Sequence, residues 1–153
     1  VTSITRVETA DPAVEAILER HHEAMRAQTP EESCHVMTSE ALRASGASVY
    51  ALRDESGAVC AVGALKPMGQ AETELKSMHV PSEMRGRGYG AVLLAHLLDE
   101  ARKTQAQAAF LETGSEDGFA AARGLYEAAG FTYCPPFGDY VSDPLSVFMT
   151  LRL

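Results

Sequence analysis

The chain has 153 residues, 46% of them hydrophobic and 22% charged, which predicts one domain over 1–153 with a sizeable core. Thirteen Lys and Arg against 21 Asp and Glu give a formal net charge of −8, which argues against non-specific nucleic-acid binding and is compatible with a cationic amine ligand, the plain alternative being solubility. No apolar run approaches the ~18 residues that cross a bilayer, and the first residues carry no leader-like apolar stretch. Cys34, Cys60 and Cys134 are scattered, with neither a disulfide framework nor a metal-ligand spacing, so the reading is a cytoplasmic protein with reduced thiols and no metal.

In chain order, 4–8 reads as a first strand. Asp11-Pro12 then opens a helix, with Asp at the N-cap and Pro in the first turn. Val14, Ile17, Leu18, His21 and Met25 follow at helical spacing until 29–30. The neighbouring His21 and His22 would point in different directions on such a helix, so they read as a chance pair and not as joint ligands. Residues 30–37 read as a polar loop and 39–44 as a short helix. Strands are expected at 48–53 and 58–65 around the turn Asp54-Glu55-Ser56-Gly57, with a third at 72–80, giving an antiparallel first half.

The second half alternates. A helix at 88–103 shows an apolar stripe of Ala91, Leu94, Ala95, Leu98 and Ala101, with Arg102 and Lys103 at its C-terminal end. A short buried strand at 108–112 precedes a helix at 117–129, whose Phe119, Ala122, Tyr126 and Ala129 share a face and whose end falls at Gly130. Strands at 131–134 and 146–151 complete a mixed α/β sheet flanked by helices.

The segment Arg85-Gly86-Arg87-Gly88-Tyr89-Gly90 carries the chemistry. Three alternating glycines remove side chains where a ligand must approach the backbone. The helix that follows offers unpaired N–H groups and the positive end of its dipole, and two arginines add charge. Together these form a pyrophosphate site; the plain alternative is a basic turn. The Gly-Lys-Ser/Thr of a P-loop is absent. The dinucleotide pattern is met formally by Gly86, Gly88 and Ala91, with Glu112 posing as the ribose acid. In that fold, however, the strand runs straight into the first glycine, whereas residues 81–85 intervene here.

These residues resemble the GNAT acetyltransferases. The family hallmark Arg/Gln-x-x-Gly-x-Gly/Ala is met by Arg85, Gly88 and Gly90 after a strand ending Met78-His79-Val80-Pro81. The family's later signature resembles Leu125-Tyr126…Gly130-Phe131, and the element order along nearly the whole chain agrees. Leu111-Glu112-Thr113-Gly114 and the tail from Pro136 through Asp139, Tyr140 and Asp143 to Met149 resemble a bacterial subgroup acting on small molecules.

The resemblance implies a mixed, mostly antiparallel sheet splayed between the strands of Met78 and Leu111 to admit acetyl-CoA. The pantetheine arm would pair with backbone at Met78 and Val80, beside His79. Residues Arg85, Gly86, Arg87, Gly88, Tyr89 and Gly90 would hold the pyrophosphate. Phe119 stands where relatives carry a cofactor-contacting Asn, so Thr113 or Ser115 would replace that contact.

A free alkyl amine titrates near ~10.4, so a base must take its proton at neutral pH. Glu74 matches a family base position, with an ion pair to Lys76 as the rival reading; His35 is the other candidate. Tyr126 matches the tyrosine that serves the departing thiolate, or else it anchors the helix. Asp139 and Tyr140 would line the acceptor pocket, or with Asp143 build turns. The implied function is acetyl transfer to a small amine or amino-acid-like acceptor. Peptide acetylation, a non-catalytic acyl-CoA module and a dinucleotide oxidoreductase are the competing readings, and a homodimer follows from the resemblance alone.

Overall fold

The computed structural model describes residues 2–28, 38–69 and 71–153. The expected loop at 30–37, with Cys34 and His35, lies outside them. Seven strands form one sheet in the order β1-β2-β3-β4-β5-β7-β6. They are β1 (Ser3–Val7), β2 (Ser48–Arg53), β3 (Val59–Met68), β4 (Glu72–His79), β5 (Ala108–Gly114), β6 (Thr132–Cys134) and β7 (Ser146–Arg152). Every pairing is antiparallel except β4 with β5. The helices are α1 (Pro12–Gln28), α2 (Ser39–Ala44), α3 (Tyr89–Lys103) and α4 (Ala120–Ala128). No helix among the described residues is long and apolar enough to cross a membrane.

Each sheet face has its own apolar cluster. On one, Val14, Ile17 and Leu18 of α1 and Leu42 of α2 cover Val49, Ala51, Val62 and Ala64. On the other, Leu93, Leu94, Leu97, Leu98 and Ala101 of α3 pack with Leu52, Ala61, Leu75 and Leu111, joined by Tyr126 and Phe131. The expected stripe of α3 is corrected here: Ala91 and Ala95 are exposed, and Leu93 and Leu97 take their place. A sheet face accepts a broad layer of large side chains, so paired leucines one turn apart win over small alanines. Ala129 is likewise exposed rather than part of the buried face of α4.

Two local devices set the positions that matter below. Asp11 caps α1 as expected: its Oδ1 accepts the Ala13 N–H at 2.9 Å. Its other oxygen receives Arg53 at 2.6 Å, which ties the helix start to β2. At the end of α4, the Phe131 N–H donates to the Tyr126 carbonyl at 3.0 Å and the Gly130 N–H to Glu127 at 3.0 Å. Gly130 has φ +105. This is a Schellman closure, and its usual hydrophobic contact is the edge-on packing of Tyr126 against Phe131, centroids 5.9 Å apart. The Leu-Tyr…Gly-Phe pattern is thus the covalent recipe for a helix end that fixes the Tyr126 ring.

Candidate active site

The site begins where the sheet divides. The parallel pairing of β4 and β5 runs from Glu72↔Ala108 to Leu75↔Leu111 and stops. Both strands continue, β4 to His79 and β5 to Gly114, but apart. The cause lies on the other side of β4. Opposite β3 the register slips between Val62↔His79 and Ala64↔Lys76, so Gly63 alone faces Ser77 and Met78. Ser77 takes φ +56 at this bulge. A Cβ on Gly63 would lie 2.6 Å from the Met78 sulfur, so the missing side chain is what lets Met78 fold against the sheet. A bulge bends its strand and sharpens its twist, and here it turns β4 away from β5.

The fork opens a cleft of about 550 Å³. At one end lies the glycine loop. Gly86 and Gly88 have φ +79 and +82, and a Cβ on either would meet nothing within 4 Å, so the surface above them is open. Gly88 is the N-cap of α3, with no side-chain cap and no acidic residue in the first turn. The first N–H groups of a 15-residue helix therefore face the opening without a protein acceptor at the cap, beside Arg85. This donor set suits linked phosphates. The separated edge of β4 suits an extended amide-bearing chain, although the Val80 carbonyl already accepts Arg85 Nε at 3.0 Å, which leaves its N–H for pairing.

Met78, His79, Val80, Arg85, Gly86, Gly88, Tyr89 and Gly90 all line the cleft, as do Thr113, Tyr126, Glu74 and Tyr140. Arg87 belongs to the loop but not to the lining, and is exposed. Ser115 also stands outside it: its hydroxyl donates to the Pro144 carbonyl at 2.7 Å, so of the two residues expected to stand in for the Asn, only Thr113 faces the cleft. Asp139 is exposed and outside the lining. Asp143 builds a turn, its carboxylate accepting the Leu145 N–H at 2.8 Å.

Sequence reasoning missed one wall. Arg20 and His21 of α1 reach the cleft. Arg20 grips Glu83 through two bonds of 2.7 Å, and its guanidinium holds the Glu83 carboxyl down to about 2. His21 Nδ1 lies 3.1 Å from His79 Nδ1. Burial pushes His21 down to about 3 and His79 to about 4, so at neutral pH both rings are neutral and one donates to the other. The ring partner of His21 is His79 of β4, 58 residues away, and nothing in the sequence pointed to it.

At the fork itself, Glu74 is 6% exposed. Its Oε2 accepts the Tyr140 hydroxyl at 2.6 Å and Lys76 Nζ at 3.4 Å, so the expected ion pair exists. Lys76 Nζ also lies 3.2 Å from the Tyr140 oxygen. Burial, then the hydrogen bond to Glu74, raise the Tyr140 phenol well above its ordinary value. Burial, then the charge of Glu112, do the same for Tyr126, so both hydroxyls stay protonated. Among the described residues, no group of three or more His, Cys, Asp or Glu side chains could hold a metal ion.

A split sheet with an open glycine loop and helix start at one end and carboxylate and phenol side chains at its fork has the shape that acyl transfer from a long phosphorylated donor needs. The match to known proteins agrees: the model of the acetyltransferase (GNAT) family covers residues 14–131, and the chain belongs to that family. It is 37% identical to the uncharacterized N-acetyltransferase YsnE of Bacillus subtilis, over 92% of each chain. It is 33% identical to a protein of Azospirillum brasilense named IAA acetyltransferase, over 96% of this chain and 95% of that one. Its fold matches a GNAT acetyltransferase of Elizabethkingia anophelis with acetyl-CoA bound, at a TM-score of 0.73 and 16% identity, covering 99% and 98% of the two chains. The chain is thus an N-acetyltransferase, and acetyl-CoA is its acyl donor.

Gly88 offers a direct check on the cradle. Gly88→Ala should cost about 1–2 kcal/mol in the left-handed cap and weaken acetyl-CoA binding at least tenfold, measured by calorimetry. Unchanged affinity would remove the loop from the donor site.

Proposed function

We propose that the enzyme acetylates the primary amine of a small molecule or amino-acid-like acceptor, which attacks the thioester directly. The observation that carries this reading is the two-sided fork. Tyr126, Leu75 and Leu111 belong to the α3–α4 face, where the donor would arrive from the glycine cradle. Glu74 and Lys76 alternate with Leu75 and so face the other way, where Tyr140 meets them. An acceptor entering from that second face would meet acidic and phenolic groups, which suit an ammonium ion. The net charge of −8 acts in the same direction.

In this reading the donor supplies an activated acetyl group. The protein's part is to align it, to strip the acceptor nitrogen of its proton with a carboxylate of the second face, and to meet the sulfur with the Tyr126 hydroxyl. His35, the alternative base, lies outside the described residues. The test is release of CoA thiol on mixing acetyl-CoA with a panel of primary amines and amino acids, with mass spectrometry of the acceptor. The expected result is one added acetyl group on a small amine. Acetylation of peptides but of no small amine would overturn the acceptor class, and donor binding without any transfer would make the protein a sensor.

A further inference from the structure

The acceptor side of the cleft holds a cation of its own. Lys76 is the first residue of β4 beyond the last rung, Leu75↔Leu111, and it lines the cleft. Its side chain is 11% exposed and shares a face of β4 with Glu74. A pocket that had only to attract an ammonium ion would gain nothing from a second, largely desolvated ammonium at its mouth, because like charges repel most where water is scarce.

The simplest role for Lys76 is to neutralise Glu74, and its contacts are poor for that purpose alone. Nζ lies 3.4 Å from Glu74 Oε2, whereas a charge-assisted hydrogen bond closes to about 2.7–2.9 Å. The same oxygen accepts the Tyr140 hydroxyl at 2.6 Å, so the phenol holds the carboxylate more closely than the ammonium does. The other contact of Nζ is the Tyr140 oxygen at 3.2 Å. An ammonium carries three N–H donors, and these long contacts occupy two of them. The other cations of the lining are engaged near the glycine loop: Arg20 grips Glu83, and Arg85 Nε donates to the Val80 carbonyl. Among the described residues of the cleft, Lys76 is thus the cation placed to meet an acceptor.

We propose that Lys76 receives the α-carboxylate of the acceptor, so that the enzyme acts on free α-amino acids rather than on simple amines or peptide N-termini. This rests on the amine-acetyltransferase reading above and names its substrate class. In an α-amino acid one carbon bears both the carboxylate and the nitrogen, so a carboxylate held at the first position past the fork keeps the nitrogen at the fork. Each pole of such a molecule meets the opposite charge: the carboxylate meets Lys76, and the ammonium meets the carboxylates of Glu74 and Glu112, which line the same cleft. Tyr140 stands between Glu74 and Lys76, bonded to both, and fixes their positions. A decarboxylated amine leaves Lys76 unanswered, and in a peptide the α-carboxylate of the first residue has been consumed in the amide bond. A site built around a polar group of its substrate rejects the analogue that lacks it.

The experiment offers wild type each α-amino acid with acetyl-CoA and reads CoA thiol release. The best acceptor is then set against its own carboxamide and its decarboxylated amine, as in phenylalanine, phenylalaninamide and phenethylamine. The amino acid should lead both by at least about tenfold in kcat/KM. Lys76→Met keeps the apolar stem and removes the charge; it should shrink that lead below about threefold, chiefly by raising KM for the amino acid, and Lys76→Arg should restore part of it. The lead compares two acceptors on one protein, so a general loss of folding or of donor binding cancels from it. Lys76→Met leaves Glu74 without its ammonium; if it does not fold, the double variant Glu74→Gln/Lys76→Met supplies the same ratio, and the wild-type comparison stands by itself. A smaller lead in wild type, or an undiminished lead in Lys76→Met, would overturn the carboxylate assignment while leaving the amine reading in place. Wild type that acetylates peptides but no free amino acid or amine, or that binds acetyl-CoA without transfer, would sink the amine reading and the role of Lys76 with it.

Discussion

Tyr126→Phe should reduce kcat at least a hundredfold, equal to about 3 kcal/mol of lost transition-state stabilisation, with the acetyl-CoA dissociation constant unchanged within about threefold. The argument is one of subtraction. Phenylalanine keeps the ring that packs on Phe131, and it leaves the backbone closure at Gly130 untouched. Only the hydroxyl goes, and that hydroxyl sits in a buried site where nothing readily substitutes for it. Burial and Glu112 keep it protonated across the working pH range, as a proton relay to sulfur requires. Stopped-flow or steady-state thiol release with calorimetric binding separates the two parameters. A variant with wild-type turnover would reduce Tyr126 to a packing residue.

Gly114→Ala should disrupt the fold through a single added methyl. A Cβ there would lie 2.1 Å from Phe119 Cδ2, with two more ring atoms within 2.5 Å. Phe119 is 9% exposed and caps the start of α4, so its ring cannot simply swing into open solvent. The turn it belongs to is braced by Arg123, which donates to the carbonyls of Gly114 and Glu116 at 2.7 and 2.9 Å. Overpacking of this kind costs about 1–3 kcal/mol, which in a chain of this size lowers Tm by roughly 3–10 °C. Phe119 lines the cleft, so the displaced ring should also weaken donor binding several-fold. Calorimetric unfolding with and without acetyl-CoA measures both; a Tm within 1 °C of wild type would mean the backbone yields without effort.

The glycine loop was legible in the sequence because its chemistry is local: alternating glycines, flanking arginines and a helix start lie within six residues. Gly130 was legible for the same reason. The stripe of α3 was misjudged because two helical phases fit the pattern, and only the sheet below chooses the one led by Leu93 and Leu97. Ser77 at φ +56 carries no compositional sign, since the bulge is imposed by Gly63 across the ladder. Ser115 looked available until Pro144 supplied an acceptor 29 residues away. Glu112 was read as a formal ribose-binding acid and as part of Leu111-Glu112-Thr113-Gly114, but its place at the fork depends on where the β4–β5 ladder stops. Lys76 and Glu74, two apart on one strand, were paired correctly by period alone.

The sheet's two blocks, β1 to β4 and β5 to β7, meet along four residue pairs and then part. A donor lying in that gap would act as a missing rung, stitching the blocks where the polypeptide leaves them unsewn. The stability of the fold is then tied to the concentration of its donor: each rise in free acetyl-CoA above its dissociation constant would tighten the same seam along which the sheet parts.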